Sequence, residues 1–433
     1  MHMDRAVTSS LVFKGRPNRV VPLRLLVLVG AMLGVLSAPA AAQVGFPGAP
    51  EDLGLNVRLY PLDTWSPRVG AGVGAGLVVH HLGRRHAQGL LTAAPARHEQ
   101  VVTAAWASAN PDRARQYVLV SARGLHTNRD WFYGLGPGSS ADARQSIERS
   151  ALQIRLRTGQ HLLDQRLLVQ PHLGLSAHRV DRVPAPSAPG LNARSRTHLQ
   201  QLSSDPVGPL ESEHTGIRVG VDIQYDTRPQ GPRSSRGLRL DAGWVRHIGV
   251  TSSFIRFDQL HLSTTGHVPL GGAHHLVGRL SLTHTVARGQ APVPYFLRPT
   301  LGGARVPGWA RHRFVDSDRL MGSVLYRFPI TRPLLNLIRL DGHLGVHAAS
   351  VYDDVFSDAA ADLTFEESPT IDPSSVPLRP AASVGMHVGL SFRKTPSLDL
   401  AVGVSPEGVT AVRFTLNQDL QALRSSHHQL RRP

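Results

Sequence analysis

Ile217-Arg218-Val219-Gly220-Val221-Asp222-Ile223-Gln224-Tyr225-Asp226 alternates apolar and polar residues without a break. A strand turns successive side chains to opposite faces. Ile217, Val219, Val221, Ile223 and Tyr225 therefore share one face, and Arg218, Gly220, Asp222, Gln224 and Asp226 share the other. The pattern recurs along the chain. Leu152, Ile154 and Leu156 stand against Gln153, Arg155 and Arg157; Leu238, Leu240, Ala242 and Trp244 against Arg239, Asp241 and Gly243; Val412, Phe414 and Leu416 against Arg413, Thr415 and Asn417.

A soluble β-sandwich shows the same period, and three further features select a transmembrane antiparallel β-barrel. The alternating runs reach about ten residues or more, as a tilted membrane crossing needs and a sandwich strand rarely does. Tight turns such as Leu270-Gly271-Gly272-Ala273 alternate with long polar stretches at 179–213 and 355–379. The polar faces carry charge, which a wet lumen accepts and a dry core does not. The period predicts strands near 52–61, 68–81, 87–95, 99–108, 116–126, 148–159, 164–178, 215–226, 237–248, 253–268, 274–287, 318–329, 338–351, 381–393, 397–405 and 409–419. That is about sixteen, with 12–14 the alternative, because the first run and the pair at 87–108 are the weakest.

The chain starts with a different composition. Arg5, Lys14, Arg16, Arg19 and Arg24 form a basic region before the apolar run Leu25–Leu36, and Ala40-Ala41-Ala42 supplies small residues for cleavage. Residues 1–42 thus read as a removable secretory signal, with Gln43 the mature start. The apolar run is shorter than the ~20 residues of a spanning helix, and Pro39 ends it. Residues 43–420 read as the barrel and 421–433 as a polar tail. No later run has the length of an apolar membrane helix. With no cysteine in the chain, an exported protein must be held by packing and backbone pairing rather than disulfides. Aromatic residues make up 6 %, sparse for a barrel with full aromatic girdles. The formal charge is +16, and Lys14 and Lys394 are the only lysines. Arginines spread along the chain rather than clustering on one motif. A basic balance fits nucleic acid or, more commonly at a cell surface, lipopolysaccharide and lipid phosphates, and the charge alone does not choose between them. The expectation of lipid and lipopolysaccharide partners, with no nucleic acid, rests on the barrel reading.

Several separated motifs resemble the BamA/TamA-type outer-membrane barrels, the bacterial surface antigen family. They are Leu59-Tyr60-Pro61, Ser66-Pro67-Arg68-Val69-Gly70, Phe132-Tyr133-Gly134-Leu135-Gly136, Tyr225-Asp226-Thr227-Arg228 with Arg236-Gly237, and Ser405-Pro406-Glu407-Gly408. The strongest is 299–330, where Pro299-Thr300-Leu301-Gly302-Gly303-Ala304-Arg305-Val306-Pro307-Gly308-Trp309 leads through Arg311-His312-Arg313-Phe314 into Val324-Leu325-Tyr326-Arg327-Phe328-Pro329-Ile330. The resemblance implies that loop 288–317 folds into the lumen, shaped by Arg305, Gly308, Trp309, Arg311, Arg313 and Phe314. It also implies a role in inserting or translocating protein or lipid at the outer membrane, alongside other envelope proteins. No room is left before the first strand for periplasmic POTRA domains, so the expected form is barrel-only.

The departures lie where the family keeps its charge. The family's loop tip is Arg-Gly-aromatic; here Pro307, Gly308 and Trp309 occupy it. The acid expected before Tyr326-Arg327 is Leu325, and the aspartate expected on the next strand is His347. One ion-pair network is replaced as a set, with Arg305 or Arg311 the candidate substitute.

Other chemistry is weakly supported. Among 23 histidines, His80-His81 with His86, His274-His275 and His427-His428 are grouped, yet strand neighbours face opposite ways and no His-Glu-x-x-His spacing exists. Neither a metal nor a cofactor is expected. His172, Ser176 and His178 share one strand face, but Gly-x-Ser-x-Gly is absent and no third residue orients the pair. The expectation is a non-enzymatic barrel. The alternatives are a passive pore or adhesin-like surface barrel and, behind them, a barrel-embedded lipid hydrolase.

Overall fold

A computed structural model describes residues 55–58, 75–80, 87–109, 116–182, 184–203, 213–229, 236–250, 255–303, 305–334, 338–356, 378–390 and 397–417. The signal, the motifs at 59–61 and 66–70 and the tail lie outside them.

The protein is all-β. Its strands are β1 (Leu55–Arg58), β2 (Ala75–His80), β3 (Ala87–Pro95), β4 (Glu99–Ala109), β5 (Gln116–Phe132), β6 (Gln145–Leu162), β7 (Leu167–Arg182), β8 (Glu213–Asp226), β9 (Gly237–Gly249), β10 (Arg256–Gly271), β11 (His274–Ala287), β12 (Thr300–Leu301), β13 (Phe314–Val315), β14 (Asp318–Leu334), β15 (Ile338–Tyr352), β16 (Arg379–Leu390), β17 (Ser397–Ser405) and β18 (Gly408–Asn417). Sixteen of them form one antiparallel meander in chain order, and β12 pairs with β13 apart from it. Among the described residues the ladder runs unbroken from β1 to β18, and no pairing joins these two ends. The four described residues of β1 offer few backbone groups for such a seam.

Register fixes the two faces. Ile154 pairs with Leu175 and Leu175 with Ile217, so these apolar residues share a face. Arg155 pairs with Gly174 and Gly174 with Arg218 on the other. The apolar face is bare: Leu173, Leu175, Val219, Ile223, Leu240, Leu262, Leu280, Val324, Leu344, Val346 and Val384 are all exposed. The sheet is rolled with its polar face inward. Arg311 and Arg313, two residues apart, bond Glu99 on β4 and Glu407 just after β17. A flat sheet at ~4.8 Å per strand would hold those two acids about 50 Å apart.

One end of the wall has tight turns. Gly271, the last residue of β10 and paired with His274, and Gly272 after it carry φ of +119° and +55°, a backbone conformation suited to glycine at this tight turn into β11. The other end is capped by packed chain. Phe132, Leu135, Ile147, Val180, Leu191, Leu199, Leu202, Ile255, Phe257, Val293, Tyr295 and Val315 form one buried cluster, each large side chain contributing roughly 1.5–3 kcal/mol. The stretch 179–213, read from sequence as a polar loop, continues β7 to Arg182 and holds helix α1 (Ala193–Ser203). The Asn192 side chain caps α1 by accepting from Ser195 N at 2.9 Å. Leu199 and Leu202, three apart, are fully buried beneath it. Polarity hid this helix, because only two of its eleven residues are large and apolar. Most of 355–379 lies outside the described residues.

Candidate functional site

Loop 288–317 lies against the concave face. Its neck is the β12–β13 ladder, with Thr300 opposite Val315 and Leu301 opposite Phe314. Gly303 N donates to Trp309 O at 2.8 Å, which turns the tip back on itself. At Gly302, φ is +110° and an added Cβ would sit 2.0 Å from Ala310 O, so only glycine fits. Leu301, Val306, Trp309 and Phe314 bury their side chains against Ala349, Val351 and Ala381 of the wall. Trp309 Nε1 donates to Pro380 O at 3.2 Å, and its ring meets Phe314 edge-on at 5.2 Å. Gly308, with φ +108°, leaves space only for a hydrogen: a Cβ there would lie 2.6 Å from Val404 O.

Three consecutive residues then reach three separate parts of the barrel. Arg311 Nη1 bonds Glu99 Oε2 at 3.2 Å on β4. His312 Nδ1 lies 2.9 Å from Asp130 Oδ1 on β5, and Asp130 also pairs with Arg149 at 3.1 Å. Arg313 bonds Glu407 at 2.6 Å and donates to Ser139 O at 2.8 Å. The Arg313 guanidinium is almost fully buried, 4.4 Å from the Phe314 ring centroid and 4.9 Å from that of Tyr133. His312 has φ +59°, which breaks the extended alternation and lets the three side chains diverge.

Of the residues singled out from sequence, Gly308, Trp309, Arg311, Arg313 and Phe314 meet on this wall. Arg305 is exposed and forms no ion pair among the described residues. Of the two candidate substitutes, Arg311 therefore carries a charge contact and Arg305 does not. Leu325 and His347 supply no charge: Leu325 is buried, and His347 Nε2 lies 2.9 Å from Ser383 Oγ. The partners Glu99, Asp130 and Glu407 escaped sequence reasoning, since they lie 94 to 212 residues from the loop arginines and histidine. The one available signal was the Arg-His-Arg run inside a loop expected to face inward.

Where the loop leaves the wall, Asp316 ties it to α1. This fully buried carboxylate accepts from Arg194 Nη1 and Nη2, each at 2.6 Å, from Arg298 Nη1 at 3.3 Å and from Ser317 N at 2.8 Å. Arg194 also pairs with Asp353. Next to it, His284, Asp318 and Asp354 bring potential metal-ligand atoms within 4.8 Å of one another. Asp318 accepts from Thr285 N and Val355 N, each at 2.8 Å, and from His284 at 2.6 Å. His274 and His275 take opposite faces, His274 bonding Tyr326 Oη at 2.7 Å and His275 stacking on His267. Ser176 donates to Gly216 O, and among the described residues it makes no bond to His172 or His178. The hydrolase pair is not assembled.

The fold and this site define a class: an antiparallel barrel wall with an inward loop anchored on its concave face. Within that class, the chain has a BamA-like fold. It is similar to the structure of BamA from Haemophilus ducreyi lacking POTRA domains 1-3, with a TM-score of 0.57 at 12 % identity over 84 % of this chain and 74 % of that one. Two other similar structures are CdiB from Acinetobacter baumannii (TM-score 0.45, 10 % identity, 82 % of this chain and 58 % of that one) and a bacterial polysaccharide outer membrane secretin (TM-score 0.38, 8 % identity, 79 % and 87 %). No family model and no curated protein matches the sequence.

Proposed function

We propose that this chain is an outer-membrane barrel, exported by a cleaved signal at 1–42, whose loop 288–317 plugs the lumen. Its activity is insertion or translocation of protein or lipid at the outer membrane of a Gram-negative cell, with outer-membrane lipids, lipopolysaccharide and other envelope proteins as partners. The carrying observation is the anchoring of the loop at three points by Arg311, His312 and Arg313. A loop held this way obstructs the lumen, and its release requires breaking these contacts together with the apolar packing of Leu301, Val306, Trp309 and Phe314. The bare apolar face supports contact with lipid, where only a sheet paired along its length satisfies its backbone.

Reconstitution tests this reading. Proteoliposomes with the intact chain are expected to speed the folding of a denatured small barrel substrate above empty liposomes, and to conduct little. Arg311→Ala with Arg313→Ala is expected to raise conductance. No acceleration by a correctly folded chain would sink the insertion role.

A passive pore is the second reading. Arg123, Arg155, Arg157 and Arg218 all face inward on β5, β6 and β8, and none forms an ion pair among the described residues. Large, steady, anion-selective conductance of the intact protein would favour it.

A further inference from the structure

The outer face of β9–β11 carries a site of its own near the loop-bearing end. Climbing this face, Leu240, Leu262 and Leu280 are exposed and apolar, and Trp244 follows opposite Leu260. Above it Arg246 pairs with Asp258 across the strands, and Arg256 pairs with Ile248. Arg288 joins them just past the end of β11, its N–H bonded to Arg256 O at 2.7 Å. From Leu262 to Arg256 the strand rises about 20 Å. Within that distance the surface passes from aliphatic to indole to guanidinium, as a wall crossing from hydrocarbon into headgroups would.

The charges do not balance. Asp258 is the shared carboxylate: Arg246 Nε and Nη2 reach it at 2.8 and 3.0 Å, and Arg288 Nε at 3.1 Å. Arg256 is exposed and forms no ion pair among the described residues. Among the described residues, Asp258 is the one carboxylate bonded within this group of three arginines, which leaves an excess of two positive charges. The Arg288 and Arg246 side chains stay about half exposed, and Asp258 engages Arg246 through Nε and Nη2 and Arg288 through Nε, which leaves Arg246 Nη1 and the Nη groups of Arg288 outside those bonds. The Arg246 guanidinium lies 5.6 Å from the Trp244 ring centroid, and Asp258 fixes its fork, so less rotamer freedom is lost when an anion binds.

We propose that Arg246, Arg256 and Arg288 form a binding site for a phosphate group of a phosphorylated glycolipid in the outer leaflet, with Trp244 against the adjoining acyl–headgroup boundary. The site rests on the membrane placement proposed above, with the loop-bearing end outward, the side on which barrels carry their longer loops. Its chemistry is the pairing of planar guanidinium donors with phosphate oxygens, supported by the lipid's apolar contact with the wall below. A free anion in water lacks that second contact. The site is therefore specific for a lipid-borne phosphate.

The test uses the full chain in neutral detergent, titrated with bisphosphorylated lipid A and with phosphate-free lipid A and followed by native mass spectrometry. The intact protein is expected to bind the bisphosphorylated form more tightly. Arg256→Gln with Arg288→Gln is expected to weaken that binding about tenfold, the scale of losing hydrogen bonds to a charged group. Heat-dependent gel mobility checks that the variant is folded. Arg256→Gln alone removes no ion pair among the described residues and should weaken binding several-fold, with heat-dependent mobility again reporting the fold. Asp258→Asn should preserve it. Equal affinity of variant and parent, equal binding of the phosphate-free lipid, or displacement by millimolar inorganic phosphate would each overturn the site. If the chain is an outer-membrane protein with no such preference, only the site falls. Recovery of the native chain without detergent overturns the placement beneath it.

Discussion

Gly403 of β17 lies directly against the main chain of Gly308 of the loop, and the contact leaves no room for a side chain on Gly403. A Cβ on Gly403 would come 2.1 Å from Gly308 N, closer than any real contact. The loop's main chain is thereby laid directly on the strand. Gly403→Val is expected to push the tip off the wall at a cost of about 2–3 kcal/mol, the scale of overpacking. Limited proteolysis within 300–315 should become faster, while heat-dependent mobility still reports a folded barrel. Unchanged cleavage would mean that the loop is held elsewhere.

Arg313 joins the loop to Glu407 at the β17–β18 turn and to Ser139 before β6. Arg313→Ala should cost about 2 kcal/mol, because burial raises the worth of the pair and partial exposure of Glu407 reduces it. Glu407→Gln combined with it should cost little more than either change alone. Additive losses in urea-melting experiments would show that the two residues act independently.

His198 gives the capped end a pH dependence. Burial in α1, with Arg298 and Arg194 nearby, lowers its pKa from 6.5 to about 3. The unfolded segment binds this proton where the folded one does not, so stability is full above about pH 6.5 and falls as the pH drops toward 3, by at most about 1.4 kcal/mol per unit. Acid should release α1 before it unfolds the wall. His198→Leu should flatten proteolysis of 193–203 across that window; an unaltered acid profile would assign the effect to another group.

Leu344 sits mid-strand on β15 with its side chain on the exposed apolar face. In a bilayer, Leu344→Arg should cost about 2–4 kcal/mol, and the same change at a polar-face position far less. Folding yield into liposomes measures the difference. Equal yields would mean that this face does not meet lipid.

The strands were legible because alternation is local. The bounds of β3, β11 and β17 are those read from sequence, and among the described residues the sheet has the sixteen strands expected. Where strands run longer than read, as β5 to Phe132 and β14 to Leu334, the added residues either build the cap or pass Pro329 with a register shift. The helix α1 was illegible, since Leu199 and Leu202 gain meaning only from the pocket beneath them.

The sequence by itself determined the class of wall, because each residue's face follows from its parity and needs no distant partner. It also marked the loop, through its glycines and its Arg-His-Arg run. Only the tertiary structure decided what those charges meet. Glu99, Asp130 and Glu407 come together solely because the sheet is rolled, and rolling is a property of sixteen strands acting at once. The same rolling sets Gly403 behind Gly308. Pairing by curvature leaves no local trace, which is why the anchors had to be seen to be known.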